Sequence, residues 1–135
     1  MGGFYPLNSG LPDSIHTAEV FRPTYCHYSN RPSLSNAPSD IHYPSSLSAN
    51  TFCVQTNALQ LSRACLIGVG SVTHHFDYGQ RYVELMVRAT SCVNGNVEVF
   101  PPPNAFVAPP GYYLLFLVDW RGIPSTGSFV KVTYL

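Results

Sequence analysis

Turn-forming residues divide this sequence into short segments at regular intervals, and this spacing constrains the fold more than any single motif. From Arg31 onward, stretches rich in β-branched and aromatic residues alternate with clusters of Pro, Gly, Asn and Ser. These stretches predict strands at 33–35, 40–43, 47–55, 63–67, 82–89, 97–100, 112–119 and 128–134. Seven to eight short strands within one small domain are typical of an antiparallel, immunoglobulin-like β-sandwich. The sequence therefore predicts an all-β sandwich.

Three segments give more detail about this sandwich. In residues 82–88, Val83, Leu85 and Val87 alternate with more polar neighbours, which indicates one core-facing side. Asn94-Gly95 follows, and this pair favours a tight turn between two antiparallel strands. Residues 112–118 are apolar throughout and predict a central strand buried on both faces, or one at a domain contact. A helical turn around 58–63 remains an alternative to strand there.

Size and charge exclude several function classes. The chain has 135 residues, enough for one domain but not for a multi-domain enzyme. Seven basic residues balance seven acidic ones, so no nucleic acid or anionic membrane is expected to bind through bulk charge. No apolar run approaches the roughly 18 residues of a membrane helix, and residues 1–6 lack the features of a signal peptide.

The four cysteines, Cys26, Cys53, Cys65 and Cys92, are too few and too scattered for a dense disulfide framework. No CxxC spacing occurs, which disfavours a cysteine-based zinc site. Cys53 and Cys92 both lie in predicted strands, so a bridge between them is conceivable, but the sequence leaves the pairing open.

The densest polar cluster, residues 71–81, lies between two predicted strands and therefore at one end of the sandwich. It contains His74, His75, Asp77, Gln80 and Arg81. In an extended chain His74 and His75 would point to opposite faces, so at most one could ligate a given metal ion. Spacing alone does not distinguish a ligand from a histidine that merely hydrogen-bonds its loop. Arg81 is expected to tie down the preceding loop through backbone carbonyls.

Other candidate residues carry weaker signals. His16, His27 and His42 form no metal-binding pair with one another and are expected to be surface or capping residues. The prolines at 101–103 and 109–110 could bind a partner as polyproline, although a rigid connection between strands explains them more simply. Exposed tyrosines and Trp120 could stack against sugar rings. No nucleophile elbow or glycine-rich phosphate loop is present.

Three blocks occur in a fixed order along the chain. They are TAEVFRP at 17–23 with Arg31-Pro32, GSVTHHFD at 70–77 with Gln80-Arg81, and APPGYYLLF at 108–116 with GIPS at 122–125. This order resembles the C-terminal early-set domain of the galactose oxidase and glyoxal oxidase family of copper radical oxidases, over essentially the whole chain. The sequence departs from the family at two places. His75 stands where a small polar residue is usual, and Gly68-Val69 stand where Arg-Pro or a similar pair is common.

The resemblance implies a specific role for one residue. In that family the early-set domain follows a seven-bladed kelch-type propeller, and a loop places one histidine on the copper; His74 matches that histidine. The other ligands, two tyrosines and a histidine, belong to the propeller. Asp77 or a backbone carbonyl could fix the tautomer of His74. Enzymes of the family oxidise a primary alcohol or aldehyde, sugars among them, and reduce O₂ to hydrogen peroxide. This chain alone is not expected to be active.

The resemblance also implies an organisation. Residues 1–28 look like the last propeller strand and a linker, and 29–135 like the early-set sandwich, so the chain reads as a fragment of a secreted enzyme. A stand-alone immunoglobulin-like binding or structural module without catalysis is the alternative.

Overall fold

The computed structural model describes residues 19–45, 51–92 and 95–134, of which Ser91 and Cys92 are described by their backbone alone. Within these ranges a short 3-10 helix, Thr24–His27, precedes ten strands. The strands are β1 Asp40–His42, β2 Phe52–Val54, β3 Leu61–Gly68, β4 Ser71–Thr73, β5 Phe76–Tyr78, β6 Tyr82–Leu85, β7 Val87–Cys92, β8 Gly95–Val99, β9 Gly111–Asp119 and β10 Ser128–Thr133.

These strands form two main sheets and a separate hairpin. The larger sheet has the order β1-β10-β9-β3-β6, the smaller has the order β2-β8-β7, and β4 pairs only with β5. All pairings are antiparallel except that of β1 with β10. Both main sheets contribute to one buried core, so the predicted β-sandwich is confirmed.

The core follows from the alternation of side chains along each strand. Every second residue of β9, from Tyr113 through Leu115 to Leu117, is buried, and so are Val97 and Val99 of β8. The prediction that 112–119 is a central strand is confirmed, because β9 lies between β10 and β3.

The predicted strand 82–89 is in fact two strands in different sheets. β6 pairs with β3 in the larger sheet, and β7 pairs with β8 in the smaller one. Met86 lies between them and is 72% exposed, whereas Val83 and Leu85 are buried. The chain turns the corner of the sandwich here, which the uninterrupted alternation of the sequence concealed.

The remaining strand predictions agree in part. The predicted antiparallel pairing of the strands on either side of Asn94-Gly95 is confirmed, with Cys92 paired to Gly95 at the start of β8. Residues 93–94 lie outside the described residues. The strand at 33–35 is reduced to a single bridge between Ser35 and Gln55. Of the strand at 47–55, Phe52–Val54 forms β2 and residues 46–50 are not described. The alternative helical turn at 58–63 was wrong, because β3 begins at Leu61.

The cysteines fall into two groups. Cys53 is disulfide-bonded, whereas Cys26 and Cys65 are free thiols. Burial raises the pKa of the Cys65 thiol above its ordinary value, which makes it a poor nucleophile. The side chain of Cys92, the partner considered for Cys53, lies outside the described part of the chain.

Among the described residues, no helix is long and apolar enough to cross a membrane.

Two of the sequence blocks are joined by one arginine. Arg31 donates hydrogen bonds from Nε to the carbonyl of Pro124, at 3.0 Å, and from Nη2 to the carbonyl of Ser125, at 2.9 Å. The guanidinium carries five N–H donors in a planar fork, which allows arginine to bind neighbouring carbonyls in this way. The contact fastens the start of the sandwich to the connection between β9 and β10.

Candidate metal-ligand hairpin

His74 and His75 occupy the two-residue turn between β4 and β5. This differs from the extended segment that was considered from the sequence. Ser71 pairs with Tyr78 and Thr73 with Phe76, which leaves only the two histidines in the turn. Their φ angles are 53° and 62°, both in the left-handed region. Tight hairpins favour a turn with positive φ at both central positions, and histidine tolerates that region better than most residues.

The imidazole of His74 is held by the residue before it. Its Nδ1 lies 2.9 Å from the hydroxyl oxygen of Thr73. If Nδ1 carries the ring proton and donates it to Thr73, the Nε2 atom keeps a free lone pair, which is the form that ligates a metal. Both residues are exposed, so Nε2 is accessible from outside this chain. Sequence reasoning missed Thr73, although a hydroxyl directly before the histidine was the available signal.

Asp77 makes no hydrogen bond to His74, contrary to the acceptor role that was expected as one possibility. Its Oδ2 accepts a hydrogen bond from Nε2 of Gln80 at 3.2 Å. Its Oδ1 is buried and has no hydrogen-bond partner within the described ranges. The carboxylate lies directly over Gly70, where an added Cβ would approach Oδ1 to 2.6 Å. Asp77 therefore braces the foot of the hairpin and leaves its tip free.

Two glycines allow the hairpin to emerge between β3 and β6. The backbone N–H of Gly68 donates to the carbonyl of Arg81 at 2.8 Å. A Cβ at Gly68 would lie 2.8 Å from the carbonyl oxygen of Gly79, closer than real side chains approach. Gly79 itself has a φ of 85°, which favours glycine. The close approach of these two backbones fixes where the hairpin leaves the sheet.

Arg81 anchors the hairpin to a distant segment. It donates from Nη1 to the carbonyl of Val107 at 2.9 Å, not to a carbonyl of the preceding loop as expected. The next two carbonyls, of Ala108 and Pro109, accept from the hydroxyls of Tyr43 and Tyr113 at 2.6 and 2.8 Å. Three consecutive carbonyls of the connection between β8 and β9 are thereby bound.

The proline-rich connection is structural in this fold. Pro101 and Pro102 are buried, which agrees with a rigid connection between strands, whereas Pro103, Pro109 and Pro110 are exposed. The bond from Arg81 of the second sequence block to the carbonyl of Val107, the residue directly before the third block, joins these two blocks in the fold.

One face of the hairpin carries two exposed aromatic rings. Phe76 and Tyr78, two positions apart on β5, are each more than half exposed, and their rings pack at a tilt of 53° with centroids 4.9 Å apart. Val72, which pairs with Asp77, lies on the opposite face and is 48% exposed. Exposed apolar clusters of this kind commonly mark a surface that another domain or protein covers.

Within the described residues, His74 could supply one metal ligand but not a complete metal site. The described residues contain no group of three or more His, Cys, Asp or Glu side chains that could hold a metal ion. His27 is exposed at the end of the 3-10 helix, and Nδ1 of His42 lies 3.2 Å from the carbonyl of Tyr134, so neither joins His74. His16 lies outside the described residues. Neutral imidazole is a ligand that Cu(II) prefers.

Comparison with known proteins identifies relatives for most of the chain. It is 29% identical over 121 residues to a galactose oxidase of Gibberella zeae, an alignment covering 86% of this chain and 17% of that protein. It is 30% identical over 139 residues to the putative aldehyde oxidase Art an 7 of Artemisia annua, covering 98% of this chain and 23% of the relative. The chain thus spans less than a quarter of either relative's length.

A solved structure shows the same fold. A fungal alcohol oxidase of the AA5 family, in complex with copper, superposes with a TM-score of 0.62 at 24% sequence identity, covering 78% of this chain and 21% of that one. The family model of the galactose oxidase-like early set domain matches residues 31–132. This match includes both main sheets and the β4–β5 hairpin, and the chain belongs to the galactose oxidase-like early set domain family.

Proposed function

We propose that this chain is the C-terminal domain of a copper radical oxidase of the galactose oxidase and glyoxal oxidase type, in which Nε2 of His74 is one copper ligand. The remaining ligands would come from a kelch-type propeller in the same longer chain. The observation that carries the proposal is the position of His74 at the tip of an exposed hairpin, with Nδ1 engaged by Thr73 and with Nε2 making no hydrogen bond to any residue that the structure describes.

Copper bound there would mediate the two-electron oxidation of a primary alcohol or aldehyde, with O₂ reduced to hydrogen peroxide. This chain's own part is to hold the imidazole. The tight turn fixes the backbone of His74, Thr73 orients its ring, and Asp77 and Arg81 secure the hairpin below it. Because the turn is already rigid, the imidazole of His74 loses little conformational freedom when the metal binds.

Exposed apolar residues on the outer face of the larger sheet favour a second domain that covers them. One row of the larger sheet's outer face runs across four strands through Phe129, Leu114, Ile67 and Tyr82, which pair in register. Three of the four are at least 40% exposed. A continuous apolar row of this kind commonly marks a surface that another domain covers, and Phe76 and Tyr78 of the hairpin add further exposed aromatic side chains.

Residues 1–28 are proposed as the end of the propeller and its linker, and 29–135 as the early-set domain. Secretion is proposed as well, since the disulfide at Cys53 is of a kind that forms in oxidising compartments.

The length of the native polypeptide tests the domain assignment. An antibody against this domain should detect a band several times heavier than 14.9 kDa in the secreted fraction of the source organism. A band of 14.9 kDa would contradict the proposal and favour the stand-alone binding or structural module.

Activity tests the role of His74. The full-length protein should produce hydrogen peroxide with a panel of primary alcohols, sugars and aldehydes, and His74→Ala should abolish this production. His75→Ala is the matched control, because it changes the neighbouring turn residue, and it should retain activity. Equal activity of all three proteins would contradict the role of His74.

A further inference from the structure

Trp120 is presented on a tight turn at the end of β9. The backbone N–H of Gly122 donates to the carbonyl of Asp119 at 3.0 Å, and Gly122 has a φ of 80° that favours glycine. Trp120, the single tryptophan of the chain, is 67% exposed. A large aromatic side chain in water forgoes the burial that usually stabilises it, so its exposure needs a reason.

The turn is fixed from within. The buried Asp119 carboxylate accepts hydrogen bonds from the backbone N–H groups of Arg121 and Ile123, both at 2.9 Å. The guanidinium of Arg121 donates to the same carboxylate at 2.9 and 2.7 Å, and also to the carbonyl of Asn30 at 2.9 Å. The backbone N–H of Trp120 donates to the carbonyl of Gln60 at 3.3 Å. These hydrogen bonds hold the backbone of Trp120 in a rigid turn.

A depression of about 260 Å³ lies beside the tryptophan. Its lining includes Trp120, the fully exposed Leu59, and the amide side chains of Asn30, Asn57 and Gln60. Pockets for drug-sized ligands run from roughly 300 to 1,000 Å³. This depression therefore suits one small ring, with the rest of a longer ligand in solvent.

The amides around the depression keep hydrogen-bonding capacity. Oδ1 of Asn57 accepts from the backbone N–H of Ser33 at 2.7 Å, which leaves its NH₂ group for a ligand. The side-chain amides of Asn30 and Gln60 make no hydrogen bond to other residues in the part of the chain that the structure describes. Each amide can both donate and accept, which matches the hydroxyl groups of a neutral ligand.

Charge does not favour an anionic ligand. The charged residues lining the depression are Asp119 and Arg121, and they neutralise each other in a short ion pair of 2.7 Å. Arg121 is also engaged by the Asn30 carbonyl, so no free cation among these lining residues faces a phosphate or carboxylate. A neutral, hydroxyl-rich ligand with an apolar face fits better.

We propose that this depression is a saccharide-binding subsite, in which a neutral sugar ring stacks on Trp120 and hydrogen-bonds to the amides of Asn30, Asn57 and Gln60. It is separate from the hairpin of His74. Leu61, at one end of β3, pairs with Asp119, whereas Gly68, at the other end, adjoins the hairpin. The seven extended steps between them place these ends about 23 Å apart. The subsite would hold a polysaccharide against the protein rather than a reacting group.

Titration of the chain with cellohexaose, xylohexaose and galactotetraose tests the subsite. Trp120 is the only tryptophan, so its fluorescence should change saturably with at least one of these sugars. By calorimetry, Trp120→Ala should weaken that binding about tenfold or more, and Gln60→Ala by a smaller factor. Phe129→Ala removes an exposed aromatic residue elsewhere and should bind like the wild type.

The outcomes separate this inference from the proposed function. Each variant is first checked by thermal unfolding, and no large shift is expected because Trp120 and Gln60 are exposed. A lack of response to all three sugars, or equal binding by Trp120→Ala, would overturn the subsite. Binding of a proline hexapeptide in place of the sugars would overturn it too. None of these results depends on copper or on His74.

Discussion

The hydroxyl oxygen of Thr73 lies 2.9 Å from Nδ1 of His74, within the same exposed hairpin. Histidines that bind a metal almost always hydrogen-bond through their other ring nitrogen, and this contact supplies that bond for the proposed ligand His74. It replaces the acceptor expected from the sequence, Asp77, which instead braces the hairpin's foot through Gln80 and Gly70. The tip and the foot of the hairpin thus have different tasks.

Removal of the Thr73 hydroxyl should weaken copper binding. We expect Thr73→Val in the full-length protein to lower copper affinity about 10- to 100-fold, because the imidazole loses the bond that orients it. Thr73→Ser keeps the hydroxyl and should stay close to the wild type. Competition titration with a copper chelator measures the difference, and equal affinities for the Val and Ser variants would contradict this role of Thr73.

Replacement of His75 by glycine should stabilise the chain. His75 has a φ of 62° at the second turn position, where glycine is preferred in tight hairpins. We expect His75→Gly to raise the free energy of unfolding by about 1 kcal/mol, since positive φ strains a residue that has a Cβ. Urea denaturation at pH 7 measures this. A clear loss of stability would mean that the His75 side chain makes a stabilising contact.

A methyl group at Gly68 should disturb the foot of the hairpin. A Cβ there would lie 2.8 Å from the carbonyl oxygen of Gly79. Because that oxygen belongs to the backbone, the clash is relieved only if the hairpin moves. We expect Gly68→Ala to destabilise the chain by about 1–3 kcal/mol, the usual range for overpacking. Gly111→Ala is the control, because a Cβ at Gly111 meets nothing within 4 Å. Equal unfolding free energies for the two variants would contradict the proposed crowding.

Asp119 should make the stability of the chain depend on acid pH. Burial acts to raise the pKa of this carboxyl, but hydrogen bonds from Ile123 and Arg121 outweigh it and hold the pKa below its ordinary value of 3.8. A carboxylate with a lowered folded-state pKa stabilises the fold above its unfolded pKa and loses that contribution as the pH falls through the folded value.

We therefore expect Asp119→Asn to be less stable than the wild type by a constant amount between about pH 7 and pH 5. The gap should narrow below about pH 4, as the wild-type carboxylate becomes protonated. Urea denaturation at several pH values measures it. A gap that stays constant down to pH 2.5 would show that Asp119 stabilises the turn without its charge.

The sequence predicted most of the sheet because local patterns encode it. The alternation of Val83 and Leu85, the apolar run of β9 and the turn at Asn94-Gly95 are features of neighbouring residues. The corner at Met86 was missed because alternation continues unbroken while the hydrogen-bond partners change from β3 to β8. Partner choice depends on residues far away in the chain, which periodicity does not report.

The candidate site was predictable in its residues but not in its geometry. The resemblance selected His74, yet the hairpin turn at His74-His75 lacks the usual Asn and Gly, so the segment read as a plain loop. The bond from Arg81 to the Val107 carbonyl joins residues 26 positions apart. Likewise Arg31 reaches Pro124 across 93 positions. Such contacts between distant residues form only once the fold brings the blocks together, so local sequence patterns do not report them.

Copper content tests the central claim most directly. Metal analysis and electron paramagnetic resonance of the purified full-length protein should show one copper per chain in the wild type and in His75→Ala, and almost none in His74→Ala. Thermal unfolding of the metal-free proteins should be nearly the same for wild type and His74→Ala, because the side chain is exposed. If His74→Ala retained full copper occupancy with an unchanged spectrum, His74 would not be a ligand and the proposed role of the hairpin would be wrong.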